Sequence, residues 1–194
     1  MRVQAVSSEG DVIELHAFAV RNLSLGSQHP RGLDYYLVAF AVHPTLLLRA
    51  VDDGGNTIGA LLASVENDHV LIGELVVAEA ARGQGIGSAL LSAVEDHART
   101  LGQESILLGA IEEAEGFYVR RSGYEPRFFI QVDGEDSCLR MRELADAANV
   151  PVLWRECVGN QAKAILATAG VDKALQARME AAGAHTQYLF RKSL

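Results

Sequence analysis

The sequence is short of sulfur. Its two cysteines, Cys138 and Cys157, form no CxxC pair and have no histidine at ligand spacing, so no zinc site, and no metal, is expected. Two isolated thiols suit a reducing compartment. No stretch approaches the ~20 consecutive apolar residues of a membrane span. The opening Met1-Arg2-Val3-Gln4-Ala5-Val6 is too short an apolar run for a secretory leader. A cytoplasmic chain with no membrane partner is therefore the expectation. Positive charge is scarce as well: 17 Lys and Arg stand against 25 Asp and Glu, for a formal net charge of −8. Such a field repels phosphate backbones, which argues against nucleic acid as a partner. The Gly-x-Ser-x-Gly elbow is missing, and the six histidines are scattered without paired spacing. A Ser-His-Asp or Cys-His enzyme is thus unsupported.

What is present is a well-mixed globular chain of 194 residues, 49% hydrophobic and 22% charged, long enough for a substantial core without disulfides. The spacing of Val12, Leu15, Ala19 and Leu23 predicts a helix over 11–23 with Asp11 as its N-cap, and Gly26 and Pro30 punctuate the loop after it. Residues 33–42 are apolar all round and fit a helix or a strand. Residues 46–51, 57–65 and 70–77 read as three strands of an antiparallel meander, joined by Asp52-Asp53-Gly54-Gly55-Asn56 and Glu66-Asn67-Asp68. The third is apolar at nearly every position, as in a strand covered on both faces.

A glycine-rich turn follows, and then Ile86, Leu90, Val94, Ala98 and Leu101 fall on one helical face, with Gly102 as the stop. Beyond it come a strand over 105–110, a short helix over 112–121 ended by Gly123, and a strand over 128–132. The last sixty residues predict a helix over 139–148 and a strand over 150–158. Helical pieces over 161–168 and 172–182 and a strand over 186–191 complete the chain. Trp154 and Arg155 read as core packing rather than as the lining of a pocket. No repeats or linkers interrupt the chain.

Strand, glycine turn and amphipathic helix together make an anion site. The first N–H groups of a helix have no partner in the ladder, the dipole adds partial positive charge, and glycines bring backbone close to a phosphate. Arg82-Gly83-Gln84-Gly85-Ile86-Gly87 has this form. The dinucleotide pattern fails, because Leu90 stands where its third glycine belongs. The Walker pattern fails because no Gly-Lys-Ser/Thr follows. Both also require a parallel βαβ unit, whereas the strand before this turn closes an antiparallel meander.

The turn matches the R/Q-x-x-G-x-G/A signature of the GNAT family of N-acetyltransferases, which the chain resembles. Glu74-Leu75-Val76-Val77 resembles the segment leading into that signature. Ala114-Glu115-Gly116-Phe117-Tyr118-Val119-Arg120-Arg121-Ser122-Gly123-Tyr124 resembles the family's A-x-x-F-Y-x-x-x-G-F segment. The likeness covers roughly residues 3–132 by element order, and its specific motifs lie within 74–124. It implies an α/β (α+β) GNAT fold, with a central mixed, mostly antiparallel sheet flanked by helices. A core over 1–132 and an α/β extension over 133–194, packed on or completing the sheet, are expected. Two positions depart from the family pattern: Glu79 stands where many members have proline, and Ile111 where many have an asparagine that contacts the pantetheine arm.

The resemblance also implies a chemistry: acetyl-CoA-dependent acylation of a primary amine of a small molecule or peptide, by direct attack in a ternary complex. Backbone of Val76 and Val77 is implied to hold the pantetheine and the thioester oxygen. Amides of Arg82, Gly83, Gln84, Gly85, Ile86, Gly87 and Ser88 are implied to hold the pyrophosphate, with Phe117 beside the cofactor. Tyr118 is implied as general acid, since a phenol near ~10 suits proton transfer to a leaving thiolate. Glu74 is the candidate base, directly or through water, because a carboxylate isolated in an apolar strand is costly and tunable. Glu112 and Glu113 could substitute, although helix capping explains them as well. The competing reading is a non-catalytic CoA-binding module with a regulatory or interaction role, which Ile111 favours. A homodimer is compatible with either.

Overall fold

The computed structural model describes residues 1–23, 31–120 and 123–194. Gly26 and Pro30 of the expected loop, and Arg121 and Ser122 of the downstream motif, lie outside the described residues. The chain divides into two compact units, Met1–Ile106 with Ser193–Leu194, and Leu107–Lys192.

The first unit holds β1 (Arg2–Ala5), α1 (Glu9–Asn22), α2 (Leu33–Val42), β2 (Leu47–Val51), β3 (Thr57–Glu66), β4 (His69–Val77) and α3 (Ile86–Thr100). The meander forms as expected, β2 against β3 and β3 against β4, and β1 extends it by pairing with β2 from Arg2↔Val51 to Ala5↔Leu48. The β2–β3 turn closes because the Asp52 carboxylate accepts the Gly54 and Asn56 amides at 2.9 and 2.8 Å, an Asx turn.

Helix α1 corrects the expected cap. Ser8, not Asp11, occupies the N-cap, its hydroxyl accepting the Asp11 amide at 3.1 Å. Asp11 reaches back instead, accepting the Ser7 amide and hydroxyl at 2.9 and 2.8 Å. This reciprocal arrangement is close to a capping box. Residues 33–42 form a helix. Its inward stripe is Tyr36 and Ala39, while Val38 and Val42 face outward, so the uniform apolarity hid a one-sided burial.

Helices α1 and α2 cover one face of this sheet, packing Val12, Leu15, Phe18, Tyr36 and Ala39 on Ala60, Leu62 and Val76. On the other face α3 approaches β3 at Gly59. A Cβ there would stand 2.8 Å from Ile86 and 3.1 Å from Leu90. The glycine lets the helix seat directly on the strand.

The second unit holds α4 (Glu112–Val119), β6 (Glu125–Asp133), α5 (Ser137–Ala148), β7 (Val152–Val158), β8 (Gln161–Ala167), α6 (Lys173–Ala181) and β9 (His185–Ser193). A further strand, β5 (Ser105–Gly109), spans the division. Its strands lie in the order β9-β6-β8-β7, antiparallel throughout. The helix expected over 161–168 is a strand. Ala162, Ala164 and Leu166 are buried and the residues between them are only half-buried, a period of two. Alanine-rich composition suggested helix, but β-pairing on both sides overrides that propensity. Trp154 is corrected as well. It lies on the edge strand β7, where every residue, Arg155 included, is exposed, and is 43% exposed itself. On the helical side, Lys173 of α6 bridges to Glu112 and Glu115 of α4 at 3.2 and 2.8 Å. Among the described residues no helix is long and apolar enough to cross a membrane.

Candidate functional site

The glycine turn grows out of the end of β4. After Val77 the chain bends, and the Ala78 amide donates to the Ile58 carbonyl at 3.0 Å. A 3-10 turn over Glu79–Ala81 leads to Arg82. The Arg82 Nε–H donates back to the Val77 carbonyl at 3.3 Å. Its side chain thus braces the strand end to the loop, a contact the motif alone did not reveal.

Gly83 and Gly85 both adopt left-handed backbone, with φ of +77° and +80°. A side chain in that region costs about 1–2 kcal/mol. A Cβ at either would meet nothing within 4 Å, so packing does not demand glycine here. Conformation does, and the open space lets a ligand reach the backbone. Gly85 is the N-cap of α3 and offers no side-chain cap. The helical ladder begins with the Ala89 amide bonding the Gly85 carbonyl at 3.0 Å, which leaves the amides of Ile86, Gly87 and Ser88 ahead of it. No acidic residue occupies the first turn of α3, while His97 and Arg99 lie in the last. The turn therefore fits a pyrophosphate in backbone shape, open space and field.

Glu74 belongs to the opposite face of the same sheet, beneath α2. One carboxylate oxygen accepts the Arg31 backbone amide at 2.7 Å, and the other accepts the Tyr36 phenol. Burial, then the hydrogen bond to Glu74, pushes the Tyr36 phenol far up, so it stays a neutral donor. The cost of placing a carboxylate in an apolar strand is met by two donors rather than by an ion pair. Further groups close around the pair. The His16 ring meets Tyr36 edge-on at 5.1 Å, and His16 Nε2 lies 3.1 Å from the Arg31 carbonyl. The Arg31 guanidinium lies over Tyr35 at 4.4 Å. Gly73 leaves room for it, since a Cβ there would come within 2.8 Å of Arg31 Nε. None of His16, Arg31, Tyr35 or Tyr36 was singled out by the sequence, because nothing in the chain order links positions 16 and 36 to 74.

Tyr118 and Phe117 belong to the second unit. Tyr118 is buried on α4 among Phe117, Tyr124 and Phe190, at ring distances of 5.0, 6.1 and 5.3 Å. Burial pushes its phenol up to about 12. Glu112 and Glu115 are engaged by Lys173, which gives Glu112 a bracing role between helices.

A four-stranded antiparallel sheet ending in a helix-opening, left-handed glycine turn is the arrangement expected of the GNAT class. The model of the GNAT acetyltransferase family matches residues 13–124, and the chain belongs to that family. Among solved structures the chain is similar to the NatB acetyltransferase complex bound to a bisubstrate inhibitor, at 16% identity and a TM-score of 0.55, covering 86% of this chain and 90% of that one. It is similar to a GNAT-family acetyltransferase from Staphylococcus aureus, at 17% identity and a TM-score of 0.53, over 64% of this chain and 83% of that one. It is similar too to N-acetylglutamate synthase from Neisseria gonorrhoeae in complex with coenzyme A and N-acetyl-glutamate. There the identity is 17% and the TM-score 0.53, over 100% of this chain and 35% of that one. At these identities the likenesses establish the fold, and they agree with the α/β architecture expected from the sequence. No curated protein matches the chain.

Proposed function

We propose that this protein is an acetyl-CoA-dependent N-acetyltransferase that acylates a primary amine of a small molecule or peptide by direct attack in a ternary complex. The observation that carries the reading is the pair of left-handed glycines, Gly83 and Gly85, opening α3 with no side-chain cap on its first turn. Similar structures hold coenzyme A or a bisubstrate inhibitor, which supports the same donor here.

In this reading the amides of residues 82–88 fix the pyrophosphate, and their contribution is alignment of the reacting carbon. Main chain at Val76 and Val77 takes the pantetheine and offers an N–H to the thioester oxygen as it becomes an oxyanion. One such donor is worth roughly 3 kcal/mol. The amine loses a proton as it attacks. Glu74 is the acceptor of that proton, directly or through water, since a carboxylate has about four lone-pair sites and two donors already hold it in one orientation. Tyr118, with Phe117 next to it, gives the departing thiolate its proton. Its raised affinity for that proton is no obstacle, because the burial that lifts a phenol makes a thiolate more basic in the same way.

The test is release of free CoA thiol across a panel of primary amines, run beside direct CoA binding and repeated with Tyr118→Phe. Thiol release that depends on the amine supports the enzyme. Tight CoA binding with no amine-dependent release would favour the non-catalytic module, the reading suggested by Ile111 in place of the pantetheine-contacting asparagine.

A further inference from the structure

Arg31 is fastened on every side except at its charge. Its amide donates to the Glu74 carboxylate at 2.7 Å, and its carbonyl lies 3.1 Å from His16 Nε2. Its guanidinium lies over the Tyr35 ring, 4.4 Å from the centroid. The Tyr35 hydroxyl is in turn 3.3 Å from Ser64 Oγ on β3, so the platform under the cation is tied to the sheet. Strand β4 makes the room. Its register with β3 steps from Leu62↔Glu74 to Ala63↔Ile72, which leaves Gly73 as the extra residue of a β-bulge. Neighbours along a regular strand point to opposite faces, but here Gly73 and Glu74 both face Arg31. A Cβ at position 73 would stand 2.8 Å from Nε and 3.4 Å from Nη2. Bulge and glycine together seat a guanidinium beside the candidate base.

Stacking on an aromatic ring occupies the flat of a guanidinium and leaves its five N–H donors, which lie in the plane. Among the described residues no hydrogen bond and no carboxylate engages those donors. Glu74 is taken by the Tyr36 phenol and the Arg31 amide, and Asp34, three positions on, is exposed and makes no ion pair. The arginine is half-buried, so a solute can reach it. In a chain of net charge −8, a cation held in place without a carboxylate is a seat for an anion from outside.

We propose that Arg31 is the specificity-determining residue of the acceptor site, and that the acceptor is a primary amine carrying a carboxylate on the same molecule. The carboxylate pairs with the guanidinium through charge-assisted hydrogen bonds, and the amine turns to Glu74, whose carboxylate the Arg31 amide holds. One residue thereby sets both the anchor of the acceptor and the orientation of the candidate base. The inference rests on the acetyltransferase reading for the reaction, whereas the anion pairing depends on Arg31 alone. A free amino acid and a peptide whose first residue is acidic both present this chemistry.

The experiment gives the full-length protein acetyl-CoA and matched pairs of acceptors, and follows release of CoA thiol. Free amino acids are set against their α-carboxamides, and peptides opening on an acidic residue against the same peptides opening on its amide. Within at least one kind of pair, kcat/KM should favour the carboxylate by about tenfold to a hundredfold, chiefly through KM. The kind of pair that does so tells a free amino acid from a peptide. Arg31→Gln keeps the main-chain bonds to Glu74 and His16 and should bring that ratio close to one, with CoA affinity reporting that the variant is folded. Arg31→Lys keeps the charge without the planar fork and should restore only part of the preference. Equal kcat/KM within every pair would overturn the proposal, and so would a preference that survives Arg31→Gln. If no amine turns over, calorimetry with the same carboxylate-bearing amines at saturating CoA separates the two readings. Binding that Arg31→Gln abolishes upholds the anion site and removes the enzyme, while no binding overturns the proposal.

Discussion

Tyr36 donates its phenolic proton to Glu74, joining the buried stripe of α2 to the one carboxylate of β4. With the Arg31 amide on the other oxygen, the carboxylate is held from the helix side in one orientation. Tyr36→Phe keeps the ring and removes only the donor. One oxygen is then left short of a partner, at a cost of about 1–3 kcal/mol. The expected result is a lower urea midpoint with an unchanged m-value, and amine turnover should fall with CoA affinity intact.

Gly85 joins backbone strain to ligand charge. Gly85→Asn accepts left-handed backbone comparatively well and adds no charge, so it should fold and retain much of its CoA affinity. Gly85→Asp has nearly the same shape but places a carboxylate where the pyrophosphate belongs. Calorimetry should show CoA binding weakened at least a hundredfold relative to the asparagine variant, about 2.7 kcal/mol. Equal affinities would remove the donor site from this turn.

Tyr118 separates packing from chemistry. Tyr118→Phe preserves the ring contacts with Phe117, Tyr124 and Phe190, so its melting temperature should barely move. If the phenol is the acid, kcat should drop on the order of a hundredfold with little change in CoA affinity. An unchanged kcat would assign Tyr118 to the core alone.

Lys173 neutralises Glu115, a carboxylate on α4 whose side chain is only 7% exposed. Breaking a buried pair costs about 3–5 kcal/mol, but Lys173 is 45% exposed and solvent screens its half. Lys173→Met should therefore lower stability by about 1–2 kcal/mol. Lys173 itself loses hydration on folding, yet its hydrogen bonds to Glu115 and Glu112 raise its proton affinity. Its stabilising share is complete below the ordinary lysine value and fades as pH climbs through the raised one. Alkaline denaturation of wild type and variant should converge in that range.

Asp11 makes the opposite acid-side prediction. Hydrogen bonds from the Ser7 amide and hydroxyl, aided by Arg49, hold its carboxyl below 3.8, and Arg49 Nη2 stands 2.9 Å away. The stabilisation is present above pH 3.8 and is lost as pH falls through the lowered value. Asp11→Asn should flatten the acid limb of the stability curve, measured by urea melts between pH 5 and pH 2.

Much of this was readable from residue order alone. The meander, the turn and α3 are local objects, and their hydrophobic periods and glycine positions carry the information within a few residues. The misreadings fall where a partner remote in sequence decides the outcome. Residues 161–167 look helical until β6 and β7 lie on either side of them. Trp154 looks like core until β7 proves to be the last strand in its row. Gly59 matters only because Ile86 sits on it. The donors to Glu74 come from more than thirty positions upstream, and no periodicity encodes that pairing.

Strand β6 has β8 on one side and β9 on the other, although β9 comes after every other element in chain order. A growing polypeptide can therefore complete the antiparallel sheet of β1 to β4 well before β6 gains its second neighbour. During that interval the Phe128 side of β6 lacks Tyr188, its cross-strand partner, whose ring lies 5.0 Å from that of Phe128 in the fold. Until β9 pairs, that half-finished apolar surface stays open to chaperones and to neighbouring chains.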